Sequence, residues 1–579
     1  MQHLLELPAT IEQDLEKFKE ETARFKDGSL SAADFRSFRV PYGIYEQRED
    51  GLFMLRLRLP AGGMLPHQMR TLAQLARSYG RNSLHVTTRQ GMQLHCVPLE
   101  HIHQALVELS QSGISTRGGG GNTVRNITAC DQSGVCDQEI FDVAPYAVAL
   151  TEFLLQDPLS YQLPRKYKIA FSGCKKDCAL ATVNDLGFVA QQCDGDVGFA
   201  VYVGGGMGAR SRVADVLEEF VPATQIHLVA EAVKHIFDTY GNRQNRNKAR
   251  LRFLVEQVGL ASFREMVKEK LAELRDAEVP CLALRDFPSR CPREDVAGKF
   301  PDAGKGFRGF AEWRVKNVAP QKQKGFHLIR LPLSLGDIAA DTLEKLAQVA
   351  EQHGDGIVRT TQSQNLDLRW VAEEELTEVH SALVRMGMDA APAPILSNIL
   401  ACAGASTCRL GICLSRGLAL AITDALGRSG LPLETLNGLK IHISGCPNAC
   451  GRHPVGDIGL FGVARRMEGR LVPCYMVQVG GGVVDGITKF AQGKEALPAR
   501  NIPDFVVDYI RAFLESPQHP DYPAFLAAQQ HEIVPQLLMR HKHVPSFAED
   551  QAYFCDWGAK TPFSLNEQIA GECSAAKSG

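Results

Sequence analysis

Two groups of four cysteines with the same spacing constrain the fold of this 579-residue chain more than any other feature. Within each group the successive intervals are 6, 38 and 4 positions, and the second group begins 272 positions after the first. The first group consists of Cys130, Cys136, Cys174 and Cys178. The second group consists of Cys402, Cys408, Cys446 and Cys450. Chance is a poor explanation for three matching intervals, so the pattern indicates an internal duplication.

The residues around the cysteines repeat as well. KIAFSGC at 168–174 corresponds to KIHISGC at 440–446, and each segment is followed by an Asp-Leu-Gly or Asp-Ile-Gly motif. Upstream, VTTRQ at 86–90 is similar to VRTTQ at 358–362, and we align the two threonines of one segment with the two of the other. The repeat is far too long for a solenoid. It predicts two similar halves packed about a pseudo-twofold axis.

Hydrophobic periodicity predicts the same order of elements in both halves. In the first half, residues 52–59 alternate like a half-buried strand, and residues 66–80 have helical spacing and end at a glycine. Two strands and a helix follow, which gives the β-α-β-β-α order of a ferredoxin-like unit. The predicted fold class is therefore α+β and internally duplicated, with two ferredoxin-like units and two cysteine-bearing α+β catalytic units. The predicted segments are 1–37 (N-terminal helical extension), 38–120 and 311–390 (ferredoxin-like), 121–310 and 391–500 (cysteine-bearing), and 501–579 (C-terminal helical tail).

Composition narrows the class of protein. Apolar residues make up 45% of the chain and charged residues 22%, as in ordinary globular proteins. The net charge of −3 gives no overall field that would favour nucleic acid or an anionic membrane. There is no apolar run of about 18 residues and no signal-peptide pattern at the N-terminus, so we expect a cytoplasmic protein. Cytoplasmic thiols are kept reduced, and clustered cysteines there favour metal binding over disulfides.

The spacing of the two cysteine groups favours iron–sulfur clusters. A C-x5-C pair followed far away by C-x3-C is unusual for zinc, whose sites more often contain two short pairs. Backbone N–H groups in the turn around SGCPNAC can donate to cluster sulfurs. We expect a 4Fe-4S cluster in each group; structural zinc and unligated core cysteines remain alternatives. The other eight cysteines, including Cys413 and Cys474, are interpreted as small apolar core residues.

With these motifs the sequence resembles the sirohaem-dependent sulfite/nitrite reductase family. The resemblance spans roughly residues 38–500 and includes the C-x5-C pair, SGCPNAC at 444–450, TTRQ at 87–90, VRN at 124–126 and LPRKYK at 163–168. It implies a sirohaem and a 4Fe-4S cluster held by Cys402, Cys408, Cys446 and Cys450. The same resemblance implies that Cys450 bridges to the sirohaem iron and that Asn448 and Arg452 lie near the macrocycle.

The resemblance also implies an anion-binding face built by the first half. Four cations match the family's substrate positions: Arg89, Arg125, Lys166 and Lys168. Several fixed cations in a dry pocket bind a small anion, and a lysine among like charges releases protons more readily. The macrocycle's carboxylates need further polar partners, for which the candidates are Arg117, Asn126, Arg359 and Arg416.

The second half lacks three of these four cations. The positions that we align with Arg89, Arg125, Lys166 and Lys168 are Gln362, Ser397, Gly438 and Lys440. We therefore expect a single anion-reducing site, with its cations from the first half and its cluster from the second. The first cysteine group is then expected to bind a second 4Fe-4S cluster that has no catalytic sirohaem.

The resemblance also indicates the substrate, and the absence of further modules indicates the kind of electron donor. Sulfite-reducing members tend to have lysine at the position of Lys168, where nitrite-reducing members tend to have asparagine. We therefore predict six-electron reduction of sulfite to sulfide. No flavin or NADPH module is visible, so electrons should come from ferredoxin or a separate reductase subunit. The alternatives are a ferredoxin-dependent nitrite reductase and a non-catalytic iron–sulfur electron-transfer protein; the four cations disfavour a related mono-oxygenase of cobalamin synthesis.

Overall fold

The computed structural model describes residues 3–277, 279–285, 309–529 and 531–565, which form two compact units. The first unit contains the described residues up to Gly206 together with Arg212–Ala391. The second contains Met207–Ser211 and the described residues from Pro392 onward. The predicted boundary at residue 310 follows directly after 286–308, which lie outside the described residues.

The N-terminal part of the first unit contains two helices and then the first ferredoxin-like unit. The predicted β-α-β-β-α order is confirmed by β2, α3, β4, β5 and α4. The elements are α1 (Ile11–Lys26), α2 (Ala32–Arg39), β1 (Ile44–Glu46), β2 (Leu52–Leu57), β3 (Gly63–Met64), α3 (Pro66–Tyr79), β4 (Ser83–Val86), β5 (Met92–Pro98) and α4 (Leu99–Gln111).

The first cysteine-bearing segment follows as a five-stranded sheet in the order β10-β9-β8-β7-β6. Strands β6, β7 and β8 are parallel, and β8, β9 and β10 are antiparallel. The elements are β6 (Thr128–Ala129), α5 (Ala144–Gln156), β7 (Ile169–Ser172), β8 (Leu186–Cys193), β9 (Asp196–Val203), β10 (Asp215–Pro222), α6 (Ile226–Tyr240), α7 (Leu251–Val258) and α8 (Leu260–Asp276).

The second ferredoxin-like unit completes the first compact unit and has the same order of elements. These are α9 (Phe310–Asn317), β11 (Val318–Pro320), β12 (Phe326–Leu331), β13 (Asp337–Ala339), α10 (Ala340–His353), β14 (Val358–Thr360), β15 (Leu366–Ala372) and α11 (Leu376–Met386). Each ferredoxin-like sheet receives one short strand from the other: β13 pairs with β4, and β3 pairs with β14. This reciprocal exchange relates the two ferredoxin-like units by an approximate twofold axis, and one continuous apolar core fills both of them.

The second compact unit repeats the cysteine-bearing sheet in the order β16-β17-β18-β19-β22. Its elements are α12 (Pro394–Ser397), β16 (Ile399–Ala401), α13 (Ser415–Arg428), β17 (Ile441–Ser444), β18 (Ile458–Met467), β19 (Arg470–Val479), β20 (Gly482–Val484), β21 (Ile487–Lys489), β22 (Gln492–Pro498), α14 (Ile502–Leu514), α15 (Tyr522–Gln529) and α16 (Ile533–His541). The α+β fold with internal duplication is thus confirmed. None of the helices in the described part of the chain is long and apolar enough to cross a membrane.

One detail of the predicted alignment is wrong. Thr87 donates its N–H to the Gly91 carbonyl, and it is Thr361 that makes the same bond, to Asn365. The ferredoxin-like units are therefore offset by 274 residues, whereas the cysteines are offset by 272, because the connection between the two segments is two residues shorter in the second half. The position equivalent to Arg89 is consequently Ser363, not Gln362; neither is a cation.

Candidate functional site

The first four cysteines lie on two loops that follow neighbouring parallel strands. Cys130 follows β6 and Cys174 follows β7, and the N–H of Cys130 donates to the Phe171 carbonyl. The Cys178 thiol lies 3.0 Å from the Cys130 sulfur. It also donates to Cys174, which lowers the pKa of Cys174 to about 6. The nearby charges of Cys130 and Cys174 contribute to a raised pKa of Cys136, whose main cause is burial. The four thiols of the first group therefore lie near one another.

The second four cysteines have the same arrangement in the second unit. The N–H of Gly445 donates to the Cys402 sulfur at 3.2 Å. Burial raises the pKa of Cys446 to about 12, and the charges of Cys450, Cys402 and Cys408 add to that rise. Thiols that resist ionisation when gathered without a cation are suited to iron, whose positive charge offsets their mutual repulsion.

The serine of each Ser-Gly-Cys motif stabilises the turn that follows it through hydrogen bonds. The hydroxyl of Ser172 accepts the N–H of Ala179 at 3.1 Å and donates to Asp177 at 2.6 Å. In the second half, Ser444 accepts the N–H of Gly451 at 3.1 Å. In both turns the third and sixth residues after the first cysteine have positive φ: Asp177, Leu180, Ala449 and Arg452. The two turns therefore share one strained backbone path, as expected for a site that fixes its ligands.

Both groups fit a 4Fe-4S cluster by their donor chemistry. Each supplies four thiols, and backbone N–H groups of Lys176 and Asn448 donate to the sulfurs of Cys174 and Cys446. In the part of the chain that the structure describes, no three His, Cys, Asp or Glu side chains converge as they would on a single metal ion. A 4Fe-4S cluster does not require such convergence, because each thiolate binds a different iron.

The predicted cations lie together in the first unit. Lys168 directly precedes β7, and burial holds its pKa well below the usual range, with further lowering by Lys166, Arg89 and Arg250. The guanidinium of Arg89 donates to the Asn184 side chain at 2.9 Å and to the Asn126 carbonyl at 2.7 Å. These contacts bring three of the four predicted catalytic residues into one positively charged group.

The fourth cation, Arg125, lies on the neighbouring chain segment. Its N–H donates to the carbonyl of Tyr167, the residue between Lys166 and Lys168, at 2.9 Å. Its guanidinium donates to the carbonyls of Gly119 at 3.1 Å and Gly121 at 2.8 Å. Carbonyl groups of the glycine-rich loop 118–121 therefore orient this buried arginine.

The remaining predicted cofactor residues have different surroundings. Asn126 donates to the carbonyls of Leu59 and Arg89, each at 2.9 Å. Arg117 lies between the rings of Tyr42 and Tyr161 and pairs with Asp14 of α1 at 3.2 Å. Arg359 is fully buried, and burial lowers its pKa to about 10. Arg416 is the second residue of α13 in the second unit, where the exposed Asn448 and the half-buried Arg452 follow Cys446.

The cysteines outside the two groups are only partly as predicted. Cys413 and Cys474 are buried core residues, which confirms the prediction for them. Cys193 and Cys281 are exposed, so their interpretation as core residues is wrong. Cys291 and Cys573 lie outside the described residues.

The sequence of each half matches two protein-family models. The nitrite/sulfite reductase ferredoxin-like half domain matches residues 45–112 and 319–386. The nitrite and sulphite reductase 4Fe-4S domain matches residues 120–274 and 393–521, so the matches together cover more than half of the chain. The chain belongs to the nitrite and sulfite reductase family. Its predicted family and fold class are therefore confirmed.

Individual relatives agree with this membership. The assimilatory ferredoxin-dependent nitrite reductase of Haloferax mediterranei is 30% identical over 524 residues, which cover 87% of this chain and 86% of that protein. A protein of Mycolicibacterium paratuberculosis named sulfite reductase (ferredoxin) 1 is 28% identical over 477 residues, covering 79% and 81%. The solved structure of the Mycobacterium tuberculosis NirA protein has a TM-score of 0.74 at 23% identity and covers 90% of this chain and 96% of that chain, which shows a shared fold.

Sequence reasoning missed Arg250 and the two residues Asn184 and Asp185. Arg250 forms a buried ion pair with Asp185 at 2.9 Å and approaches Lys168 closely enough to lower its pKa. The repeated Asp-Leu-Gly motif was the available signal for Asp185. Nothing in the sequence near residue 250 indicates that its side chain reaches a site 65 positions earlier in the chain.

Proposed function

We propose that this member of the family reduces sulfite to sulfide with six electrons. The convergence of Lys168 with Lys166, Arg89 and Arg250 is the observation that carries the proposal. Charge-assisted hydrogen bonds from several fixed cations suit a small anion, and a second lysine favours dianionic sulfite over monoanionic nitrite. Arg125, held by the carbonyls of the glycine loop, completes the group of anion-binding residues.

Lys168 also supplies protons in this proposal. Each oxygen that leaves the substrate as water consumes two protons, so the pocket must deliver them repeatedly. Burial and the neighbouring cations depress the pKa of Lys168, which brings it closer to that of an effective general acid. Lys166 lies beside it and is the candidate for restoring the proton.

The proposed cofactors are a sirohaem and two 4Fe-4S clusters. Sirohaem supplies the redox-active iron at which the anion is reduced. One cluster binds to Cys402, Cys408, Cys446 and Cys450, and Cys450 is also the proposed ligand of the sirohaem iron. Side chains proposed to hold the macrocycle are Arg117, Asn126, Arg359, Arg416, Asn448 and Arg452. The proposed electron donor is ferredoxin or a separate reductase subunit, and the proposed location is the cytoplasm.

The second cluster is proposed for Cys130, Cys136, Cys174 and Cys178. Its support is the shared backbone path of the two turns and the contact of the Cys178 thiol with Cys130. Two clusters and one sirohaem contain about nine iron atoms per chain, and one cluster fewer leaves about five. Cys174→Ser is expected to reduce iron and acid-labile sulfide accordingly, whereas the exposed Cys193→Ser control should retain both. An unaltered enzyme with about five iron atoms would contradict the second cluster.

Nitrite is the second candidate substrate, because the Haloferax mediterranei relative is named a nitrite reductase. The variant Lys168→Asn distinguishes sulfite from nitrite as the preferred substrate. Loss of one charge-assisted hydrogen bond should lower kcat/KM for sulfite about tenfold or more, and that for nitrite clearly less. Lys440→Asn is the matched control, since the exposed Lys440 has the same backbone position in the second half. Equal losses for both anions in Lys168→Asn would refute the charge argument.

A further inference from the structure

A single buried carboxylate links Lys168 to Arg250. The carboxylate of Asp185 accepts Nε and Nη2 of Arg250 at distances of 2.9–3.1 Å, and it accepts the N–H of Lys168 at 2.9 Å. Asp185 is fully buried and Arg250 is 6% exposed. The adjacent residue, Asn184, accepts the guanidinium of Arg89. Of two consecutive residues, Asn184 therefore holds the guanidinium of Arg89, and Asp185 holds the backbone at Lys168.

The second half shows which part of this arrangement the fold itself requires. Asp457 accepts the N–H of Lys440 at 2.8 Å, as Asp185 does for Lys168. The corresponding helix, α15, is preceded by Asp521, whereas α7 is preceded by Arg250. Among the described residues no arginine forms an ion pair with Asp457. The aspartate is therefore common to both halves, where it accepts a backbone N–H at the start of a strand. The arginine partner is found only in the half that contains the cations.

We propose that Arg250 is a positioning residue for the anion-binding group, which it orders through Asp185 at the start of β7. Its guanidinium fixes the carboxylate that holds the chain at Lys168 and adds a positive charge beside that lysine. The inference rests on the proposed function, because it gives Arg250 a role in positioning Lys168, which in that proposal binds the anion and supplies protons.

The charges that face Lys168 give the expected sign of the effect. Lys166, Arg89 and Arg250 disfavour its protonated form, and Asp185 favours it. Removing the guanidinium of Arg250 deletes one repulsive charge and leaves the carboxylate of Asp185 without its partner. Both changes favour the protonated lysine, so the neutral, nucleophilic fraction of Lys168 should fall.

Three variants separate positioning from structure. Arg250→Gln removes the charge, and the second half, where Asp457 has no arginine partner among the described residues, indicates that this backbone arrangement folds without one. Arg250→Lys restores a cation. Arg264→Gln is the control, since Arg264 belongs to the same unit but donates to the carbonyls of Val216 and Leu217.

The measurement is the rate of acetylation of Lys168 in the purified holoenzyme as a function of pH, read by peptide mass spectrometry. Where the lysine is mostly protonated, one pKa unit changes the neutral fraction and therefore the labelling rate about tenfold, so the labelling profile of Arg250→Gln should lie at higher pH than that of the unaltered enzyme. Arg250→Lys should recover most of that rate, and Arg264→Gln should equal the unaltered enzyme. An unchanged Lys168 profile in Arg250→Gln would overturn the inference.

Failure of the positioning role can be told apart from failure of the proposed function and from failure of a variant to fold. Labelling needs no turnover, so a shifted profile in an enzyme that reduces neither sulfite nor nitrite would support the positioning role while refuting the proposed function. If Arg250→Gln does not fold, Gly206→Ala replaces it, because a Cβ there would lie 2.7 Å from Nη1 of Arg252 and 2.9 Å from Nη2 of Arg250 and displace both guanidinium groups; Arg252→Gln is then the control. Slower labelling in Gly206→Ala but not in Arg252→Gln would support the inference, and an unchanged rate in Gly206→Ala or equal slowing in both variants would overturn it.

Discussion

Replacing either of the two equivalent aspartates, Asp185 and Asp457, by asparagine is expected to change stability in opposite directions. Both carboxylates accept the N–H of a lysine at the start of a parallel strand, at 2.9 and 2.8 Å. Asparagine keeps a carbonyl oxygen for that bond but carries no charge. The difference between the two sites is therefore their electrostatic environment.

At Asp457 the residue is half-buried, and the exposed Lys440 is the charged side chain that acts on the pKa of its carboxylate. Burial raises its pKa to about 6, against an ordinary value of 3.8. A shift of about two units corresponds to on the order of 3 kcal/mol. Because the folded chain holds the proton where the unfolded chain has lost it, this stability is present below about pH 4 and is lost as the pH rises through 6. Asp457→Asn should therefore stabilise the second unit at neutral pH by roughly 1–3 kcal/mol.

At Asp185 the same substitution removes the partner of a buried arginine. Arg250 would keep its charge with no carboxylate beside it, and breaking a buried ion pair in this way costs about 3–5 kcal/mol. The expected result is a destabilised first unit at neutral pH.

Hydrogen–deuterium exchange suits this comparison, because a chain of two compact units does not unfold in one step. Peptides from β7 and β8 report on Asp185, and peptides from β17 and β18 report on Asp457. At pH 7.5, Asp457→Asn should slow exchange in its peptides and Asp185→Asn should accelerate exchange in its own. At pH 4.5 the effect of Asp457→Asn should be much smaller. Faster exchange in both variants at pH 7.5 would refute the electrostatic reasoning.

Two further substitutions test packing. Gly417→Ala places a Cβ 2.0 Å from the carbonyl oxygen of Trp557, so we expect the C-terminal segment to detach from α13. Limited proteolysis should then cleave that segment faster. Gly427→Ala, which adds a Cβ in open space on the same helix, is the control and should behave as the unaltered chain. Ser172→Ala leaves the buried N–H of Ala179 without its acceptor and should destabilise the first cysteine turn by about 1–3 kcal/mol. Hydrogen–deuterium exchange in the peptide that contains the turn measures this effect, and unchanged exchange would show that Ser172 does not stabilise the turn.

Much of the fold was predictable because its signals are local or periodic. The alternation of residues 52–59 became β2 at Leu52–Leu57, and the helical spacing of 66–80 became α3 at Pro66–Tyr79. The identical cysteine intervals correctly predicted two equivalent turns. The exchanged strands β3 and β13 were not predicted, because two or three residues carry no periodic signal and their partners lie in the other half.

The anion-binding group was only partly predictable for a similar reason. Lys166 and Lys168 stand in one motif with the start of β7, so their proximity followed from sequence. Arg250 reaches them through Asp185, a contact that depends on how α7 packs against the sheet. The one-residue error in aligning Thr87 arose because a short repeated motif fits two registers, and only the hydrogen bond to Gly91 decides between them.

The choice between sulfite and nitrite is decided by the specificity of the holoenzyme. The measurement is kcat/KM for sulfite and for nitrite on one preparation, with the same reduced electron donor and at the same pH. We expect a higher value for sulfite, with sulfide as the product. Efficient conversion of nitrite to ammonia with negligible turnover of sulfite would contradict this expectation.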